Sequence, residues 1–226
     1  MSIAIKVENV SKVFGETAVL SDINVAFEKG KVHGLIGRNG SGKTMLMKCI
    51  CGFVPVTGGQ ITIEGQRLKK DMDFPKNIGV IIETPGFLPA YSAYRNLKFL
   101  ADIEGKITGA QIREAIRRVG LDPDSKKHVG KFSLGMRQRL GLAQAIMEDP
   151  DILILDEPMN GLDKDGVSDM RKYLLELKAS GKTILIASHS AEDIDVLCDT
   201  VHEMDKGVLT TVRLEDDEWF ECFDRE

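Results

Sequence analysis

The stretch GLIGRNGSGKT, residues 34–44, constrains this chain more than any other. Gly37, Gly42, Lys43 and Thr44 satisfy the G-x-x-x-x-G-K-[ST] pattern, with an apolar strand signal, VHGLIG, before it and a helical segment, MLMKCICG, after it. The glycines let the loop wrap so that the backbone N–H groups of Arg38, Asn39, Gly40, Ser41 and Gly42 can turn inward on phosphate oxygens. The helix that follows adds its positive N-terminal dipole. Lys43 brings a full charge to the β and γ phosphates, and the Thr44 hydroxyl suits a Mg²⁺ ligand. A loop of this kind needs a strand–loop–helix unit in an α/β sheet, so it sets both the fold class and the ligand class.

The rest of the chain agrees with that class. Alternating or apolar runs IAIKV, LSDINVAF, QITIEG and IGVII read as strands in the first third. From Ser92 to Pro150 the period turns helical, with Ile112, Ile116 and Val119 on one face of GAQIREAIRRVG and Gly120 as its stop. Strand and helix then alternate again: ILILD, GVSDMRKYLLELKAS, TILIAS, AEDIDVLC, and a hairpin VHEMDKGVLTTV. The pattern predicts a mainly parallel α/β core interrupted by a helical insertion.

Composition removes several alternatives. A net charge of -5 argues against a non-specific nucleic-acid binder, which needs a cationic surplus. No apolar run approaches the roughly 20 residues of a membrane span, and MSIAIKVENV lacks a signal-peptide layout, so a cytosolic chain is expected. Cys49, Cys51, Cys198 and Cys222 have no metal-site spacing and read as buried reduced thiols.

A nucleotide site that hydrolyses needs a metal-side carboxylate and a group that polarises water. ILILDEP offers Asp156 for the magnesium and Glu157 for the water. Ser133 and Gly135 in SLGMRQR open a helix, where a hydroxyl, bare backbone N–H groups and a helix dipole could receive an anion; alone, this reads first as an ordinary Ser N-cap.

The order of these motifs resembles the ATP-binding subunits of ABC transporters: phosphate loop 37–44, helical block, SLGMRQR at 133–139, ILILDEP, NGLD at 160–163 and ASHS at 187–190. The family's LSGGQ-like segment is altered here, keeping Ser133 and Gly135. The resemblance implies a P-loop NTPase core of ABC type over 1–83 and 151–212, with an N-terminal antiparallel β subdomain, a helical insertion at 84–150 and a short tail at 213–226. It implies ATP and Mg²⁺ as ligands, and a dimer with a second copy or a paralogue. In that dimer Ser133, Gly135, Met136 and Asp163 contact the ATP held by the other subunit. His189 would contact the γ-phosphate, and Phe14 would stack on adenine, a core role for Phe14 being the competing reading. It further implies a separate integral-membrane permease and a place on the cytoplasmic face of the membrane. A soluble ATPase of the same type acting on a non-membrane partner is the alternative.

Most members have glutamine where IGVIIETPGF places Glu83. At ~4 Å and an effective dielectric near 20, a carboxylate facing a phosphate charge is opposed by roughly 4 kcal/mol. Glu83 is therefore expected on the metal side with Thr44 and Asp156, at the head of a loop, TPGFLPAYSAYRNL, that faces a membrane partner. A glutamate here resembles the bacitracin-resistance and lantibiotic-immunity branch, which exports peptide antibiotics. The tail aromatics Trp219, Phe220 and Phe223 are expected to pack a short terminal helix on the core.

Overall fold

A computed structural model describes residues 2–83 and 86–212. Two sheets organise it. The N-terminal hairpin pairs β1 (Ile3–Phe14) with β2 (Thr17–Glu28), and β1 also pairs with β4 (Gly58–Ile63), which carries the two-residue β5 (Gln66–Arg67). This sheet is antiparallel throughout, in the order β2-β1-β4-β5. Both hairpin strands are longer than IAIKV and LSDINVAF alone predict, because pairing continues through Val10, Lys12, Val13 and Phe14 on β1 and through Thr17 and Ala18 on β2.

The second sheet has the order β10-β9-β3-β8-β7-β6. Its strands are β3 (Val32–Ile36), β6 (Ile78–Ile81), β7 (Ile152–Asp156), β8 (Thr183–Ala187), β9 (Thr200–Asp205) and β10 (Val208–Val212). All pairings are parallel except that of the edge hairpin β9–β10. The period of two along a strand divides the apolar residues between two cores. Val32, Leu153, Leu155, Ile184 and Ile186 face the core shared with the helical block, whereas Leu35, Ile152, Ile154, Leu185 and Ala187 face the core beneath the antiparallel sheet. Each such fully buried Leu or Ile contributes roughly 1.5–3 kcal/mol.

Helix α1 (Lys43–Ile50) follows β3. Between β6 and β7 lie α2 (Ala93–Glu104), α3 (Gly109–Arg118), a 3-10 turn at Val129–Lys131 and α4 (Leu134–Ile146). These helices start where their capping chemistry says they should. Thr108 and Gln111 form a reciprocal capping box on α3, and Ser92 caps α2. Ile112 and Ile116 are buried as their spacing predicts, and Gly120 takes the left-handed stop. Helices α5 (Lys164–Ala179) and α6 (Ala191–Leu197) are capped by Asp163 and Ser190. Cys49, Cys51 and Cys198 are buried free thiols, pushed up by burial to about 11, 12 and 12, so they stay protonated. Cys222 and the expected terminal helix with Trp219, Phe220 and Phe223 lie outside the described residues.

One buried polar cluster was not anticipated from the sequence. His33 on β3 and His202 on β9 are both buried, with Phe27 edge-on to each ring at 5.1 and 5.3 Å. Thr200 Oγ1 lies 2.7 Å from His33 Nδ1, and Thr211 Oγ1 lies 3.1 Å from His202 Nδ1. Burial pushes His202 down to about 4, and His33 is lowered for the same reason. Both rings are neutral in the folded chain. The unfolded chain binds these protons near pH 6.5, so this contribution is complete above about pH 6.5 and is lost as pH falls toward 4. We predict that the stability advantage of wild type over His202→Gln, measured by urea unfolding, shrinks by about 2 kcal/mol between about pH 7.5 and about pH 5. A gap that does not change with pH would remove His202 as the cause.

Candidate functional site

Parallel register brings the site residues to one edge. Asp156 at the end of β7 is opposite Ala187 at the end of β8, and Ile36 ends β3 beside them, so three loops leave the sheet together. These loops carry Gly37, Glu157 and His189. This is the carboxyl edge where open α/β sheets bind ligands.

The phosphate loop has the backbone that its glycines predict. Gly37 has φ 135° and Gly42 φ 118°, and a Cβ on Gly37 would stand 2.1 Å from the carbonyl oxygen of Met204. Only glycine fits there. The loop is tied to the β9–β10 turn by Gly207 N–H donating to the Ser41 carbonyl at 2.8 Å. Lys43, 6% exposed, folds back over the loop and donates from Nζ to the carbonyls of Gly37 and Arg38. Burial lowers its pKa, while Glu157 and Asp156 oppose the shift. Ser41 Oγ is buried without a partner among the described residues. A wrapped loop with a retracted ammonium and an orphaned hydroxyl is suited to receive an anion.

Thr44 and Asp156 meet as the sequence predicts: Thr44 Oγ1 donates to Asp156 Oδ2 at 2.7 Å. This places a hydroxyl and a carboxylate side by side, both hard oxygen donors suited to magnesium. Asn39, Gly40, Gly42, Lys43, Thr44, Glu83, Asp156, Glu157 and His189 line one cavity of about 360 Å³.

Glu157 has the most perturbed environment in that cavity. Burial is the main force that pushes its carboxyl up to about 7; a hydrogen bond from the His189 backbone and the charge of Lys43 oppose the rise, and Asp156 adds to it. His189 Nε2 stands 3.0 Å from Glu157 Oε1, a buried oxygen without a hydrogen-bond partner among the described residues. Burial, then Lys43, keeps His189 below its ordinary value and hence neutral at pH 7. A carboxylate titrating near neutrality, aimed into a phosphate pocket, is fitted to accept a proton from water.

The other expected residues stand at the rim of this cavity or outside it. Glu83 reaches the rim of the cavity but is largely exposed, with a left-handed φ of 59° and an ion pair to Lys48 Nζ on α1 at 2.5 Å. Its carboxylate is thus neutralised by a lysine that sequence reading did not single out. Phe14 ends β1, about half exposed, with the Lys12 ammonium 4.5 Å from its ring centroid; it does not line the cavity. Ser133, Gly135, Met136 and Asp163 also stand outside it. Ser133 Oγ accepts from Met136 N–H at 3.2 Å as the N-cap of α4, and Asp163 Oδ1 accepts from Gly166 N–H at 2.9 Å as the N-cap of α5. Gly135 lies so close to the NGLD turn that a Cβ on it would stand 2.8 Å from the Gly161 carbonyl oxygen.

The chain also supports His189 with groups that escaped the sequence reading. Buried Asp193 accepts from Ser188 Oγ at 2.8 Å and from Arg171 Nε at 2.7 Å. A Ser190 N-cap followed by Asp193 three residues on was the available signal.

Comparison with known proteins follows the same lines. Residues 20–160 match the family model described as ABC transporter. The chain belongs to the ATP-binding subunits of ABC transporters. The ABC transporter ATP-binding protein YybJ of Bacillus subtilis (strain 168) is 49% identical over 207 residues, covering 92% of this chain and 95% of that protein. The bacitracin transport ATP-binding protein BcrA of Enterococcus faecalis is 41% identical over 211 residues, covering 92% of this chain and 68% of that protein. A solved ATP-binding subunit of an ABC transporter superposes with a TM-score of 0.84 at 26% identity, covering 99% of this chain and 95% of its own. As an ABC cassette, the chain is an ATPase that drives transport.

The Glu157 environment has a measurable cost. The folded state holds a proton on Glu157 up to about pH 7, while the unfolded state releases it near 4.5. Folded stability from this group is therefore greatest below pH 4.5 and is lost as pH rises toward 7. In nucleotide-free protein, Glu157→Gln is expected to be stabilising, and its advantage over wild type in urea unfolding to grow by roughly 2 kcal/mol between about pH 5 and about pH 8. An advantage that stays flat across that range would contradict the burial of this charge.

Proposed function

We propose that this subunit works as a dimer, with a second copy or a paralogue, that closes around two ATP and drives a separate integral-membrane permease from the cytoplasmic face of the membrane. The observation that carries the reading is the pairing of Thr44 with Asp156 beside the raised carboxyl of Glu157, at the mouth of the Lys43 loop. In this reading the core spans 1–83 and 151–212, the helical insertion 84–150, and the tail 213–226. The insertion carries the surface that meets the permease.

Lys43 and the loop N–H groups from Arg38 to Gly42 bind the phosphates, with Gly37 allowing the close approach. Thr44 and Asp156 hold Mg²⁺, which neutralises phosphate charge when bound. Glu157 accepts the proton of the attacking water, and neutral His189 donates to the γ-phosphate. Phe14 stacks on adenine, its ring backed by Lys12. Ser133, Gly135, Met136 and Asp163 act on the partner's ATP. Their place outside the Lys43 cavity supports this assignment. Export of a peptide antibiotic is supported by the bacitracin transport relative and by Glu83. No nucleic acid takes part.

In purified protein, Glu157→Gln should reduce ATP hydrolysis at least about a hundredfold while ATP drives dimer formation visible by size-exclusion chromatography. Lys43→Ala should instead weaken nucleotide binding itself in equilibrium titration. Wild-type turnover in Glu157→Gln would remove Glu157 as the base.

The Lys48 pair leads to a second prediction. Glu83→Gln should lower Mg²⁺ affinity in the presence of ATP by a few-fold, since a carboxylate binds the ion more strongly than an amide. Unchanged Mg²⁺ titration and turnover would leave Glu83 with Lys48 alone.

A further inference from the structure

Glu157 has a backbone that its residue type does not favour. Its φ is 52°, in the left-handed region, where a side chain with a Cβ is strained. Three hydrogen bonds hold it there. Its N–H donates to the Ala187 carbonyl of β8 at 3.0 Å, and its carbonyl accepts from Asn160 N–H at 3.1 Å and from Gln138 Nε2 at 3.0 Å. The first two come from the adjacent strand and from its own turn. Gln138 belongs to another element, α4, the helix capped by Ser133.

Gln138 is 7% exposed and lies among the apolar residues Leu140, Leu142 and Ala143 of the same helix. A buried amide in such a setting is costly unless it is bonded, and the bond recorded for its N–H₂ among the described residues goes to Glu157. The direction of a side chain follows its backbone dihedrals. Relaxation of Glu157 toward negative φ would swing the carboxylate out of line with Asp156 and the phosphate loop.

We infer that Gln138 is a positioning residue for hydrolysis: its amide locks the left-handed backbone of Glu157 and thereby couples the Ser133 helix to the catalytic carboxylate of the same chain. The inference rests on the proposed roles of Glu157 and Ser133. It adds a link between them. When the partner's ATP seats against the N-terminus of α4, any shift of that helix moves the Gln138 amide, and the Glu157 backbone moves with it. Each site would then report to the other through one hydrogen bond, independently of the Asp163 turn.

Gln138→Met keeps length and helix propensity and removes the donor; Gln138→Leu also removes it, with a branched side chain. Both variants should bind ATP within about twofold of wild type in equilibrium titration, with KM little changed and kcat at least about tenfold lower, the scale of a small misplacement of a catalytic group. In a Glu157→Gln background, Gln138→Met should leave the ATP-driven dimer unchanged by size-exclusion chromatography, because Ser133 is untouched. Wild-type kcat in both variants, beside an inactive Glu157→Gln protein, overturns this inference alone. Loss of the ATP dimer in the double variant also overturns it, by placing Gln138's role in the Ser133 face. Wild-type turnover in Glu157→Gln overturns the assignment of Glu157 and this inference together.

Discussion

The parallel pairing of β3, β8 and β7 is the constraint on which the rest of this molecule depends. Register places Asp156 opposite Ala187, and Gly34 opposite Ile186, so the three strands end at one level. From that edge the phosphate loop, the Asp156–Glu157 turn and the Ser188–His189 turn all project into the same space. A slip of one residue in β7 would send Asp156 to the other face and exchange the two cores. The close division of the apolar residues between the cores makes such a slip costly, so hydrophobic burial sets the geometry of a polar site.

The site concentrates unfavourable terms. Lys43 is buried and folded against carbonyls, Glu157 is held protonated up to neutral pH, and its backbone is left-handed. The surrounding structure over-determines these features through β8, Asn160 and Gln138, and through the Ser188–Asp193–Arg171 network behind His189. Strain and desolvation that a turn alone would release are retained because each group is anchored to a different packed element. In the proposed function, these same terms suit Glu157 to act as a base near physiological pH and Lys43 to leave its carbonyls for phosphate.

Sequence patterns located the phosphate loop, the Thr44–Asp156 pair and the strand-end acids, because each depends on residues close in the chain or on a strand–loop–helix unit with a strong signature. They also located most strands and helices. Glu83 illustrates the limit. Electrostatic reasoning excluded a bare carboxylate beside phosphate and expected magnesium as the counter-charge; the structure adds a second one, Lys48, 35 residues away in sequence. No periodicity links those two positions. The His33–His202 cluster was missed for a related reason: the two histidines lie far apart in the chain, and only the pairing of β3 with β9 brings them beside Phe27.

Sequence by itself determined the ligand class and the family, because G-x-x-x-x-G-K-T demands one backbone shape and DEP, NGLD and ASHS follow it in one order. It also determined the helix start at Ser133, where the side chain satisfies an N–H group three residues ahead. Tertiary structure alone decided which acid carries the raised pKa, which lysine neutralises Glu83, and which amide holds Glu157. Desolvation and long-range hydrogen bonds depend on what surrounds a group in space, and parallel crossovers bring together residues that the chain keeps far apart.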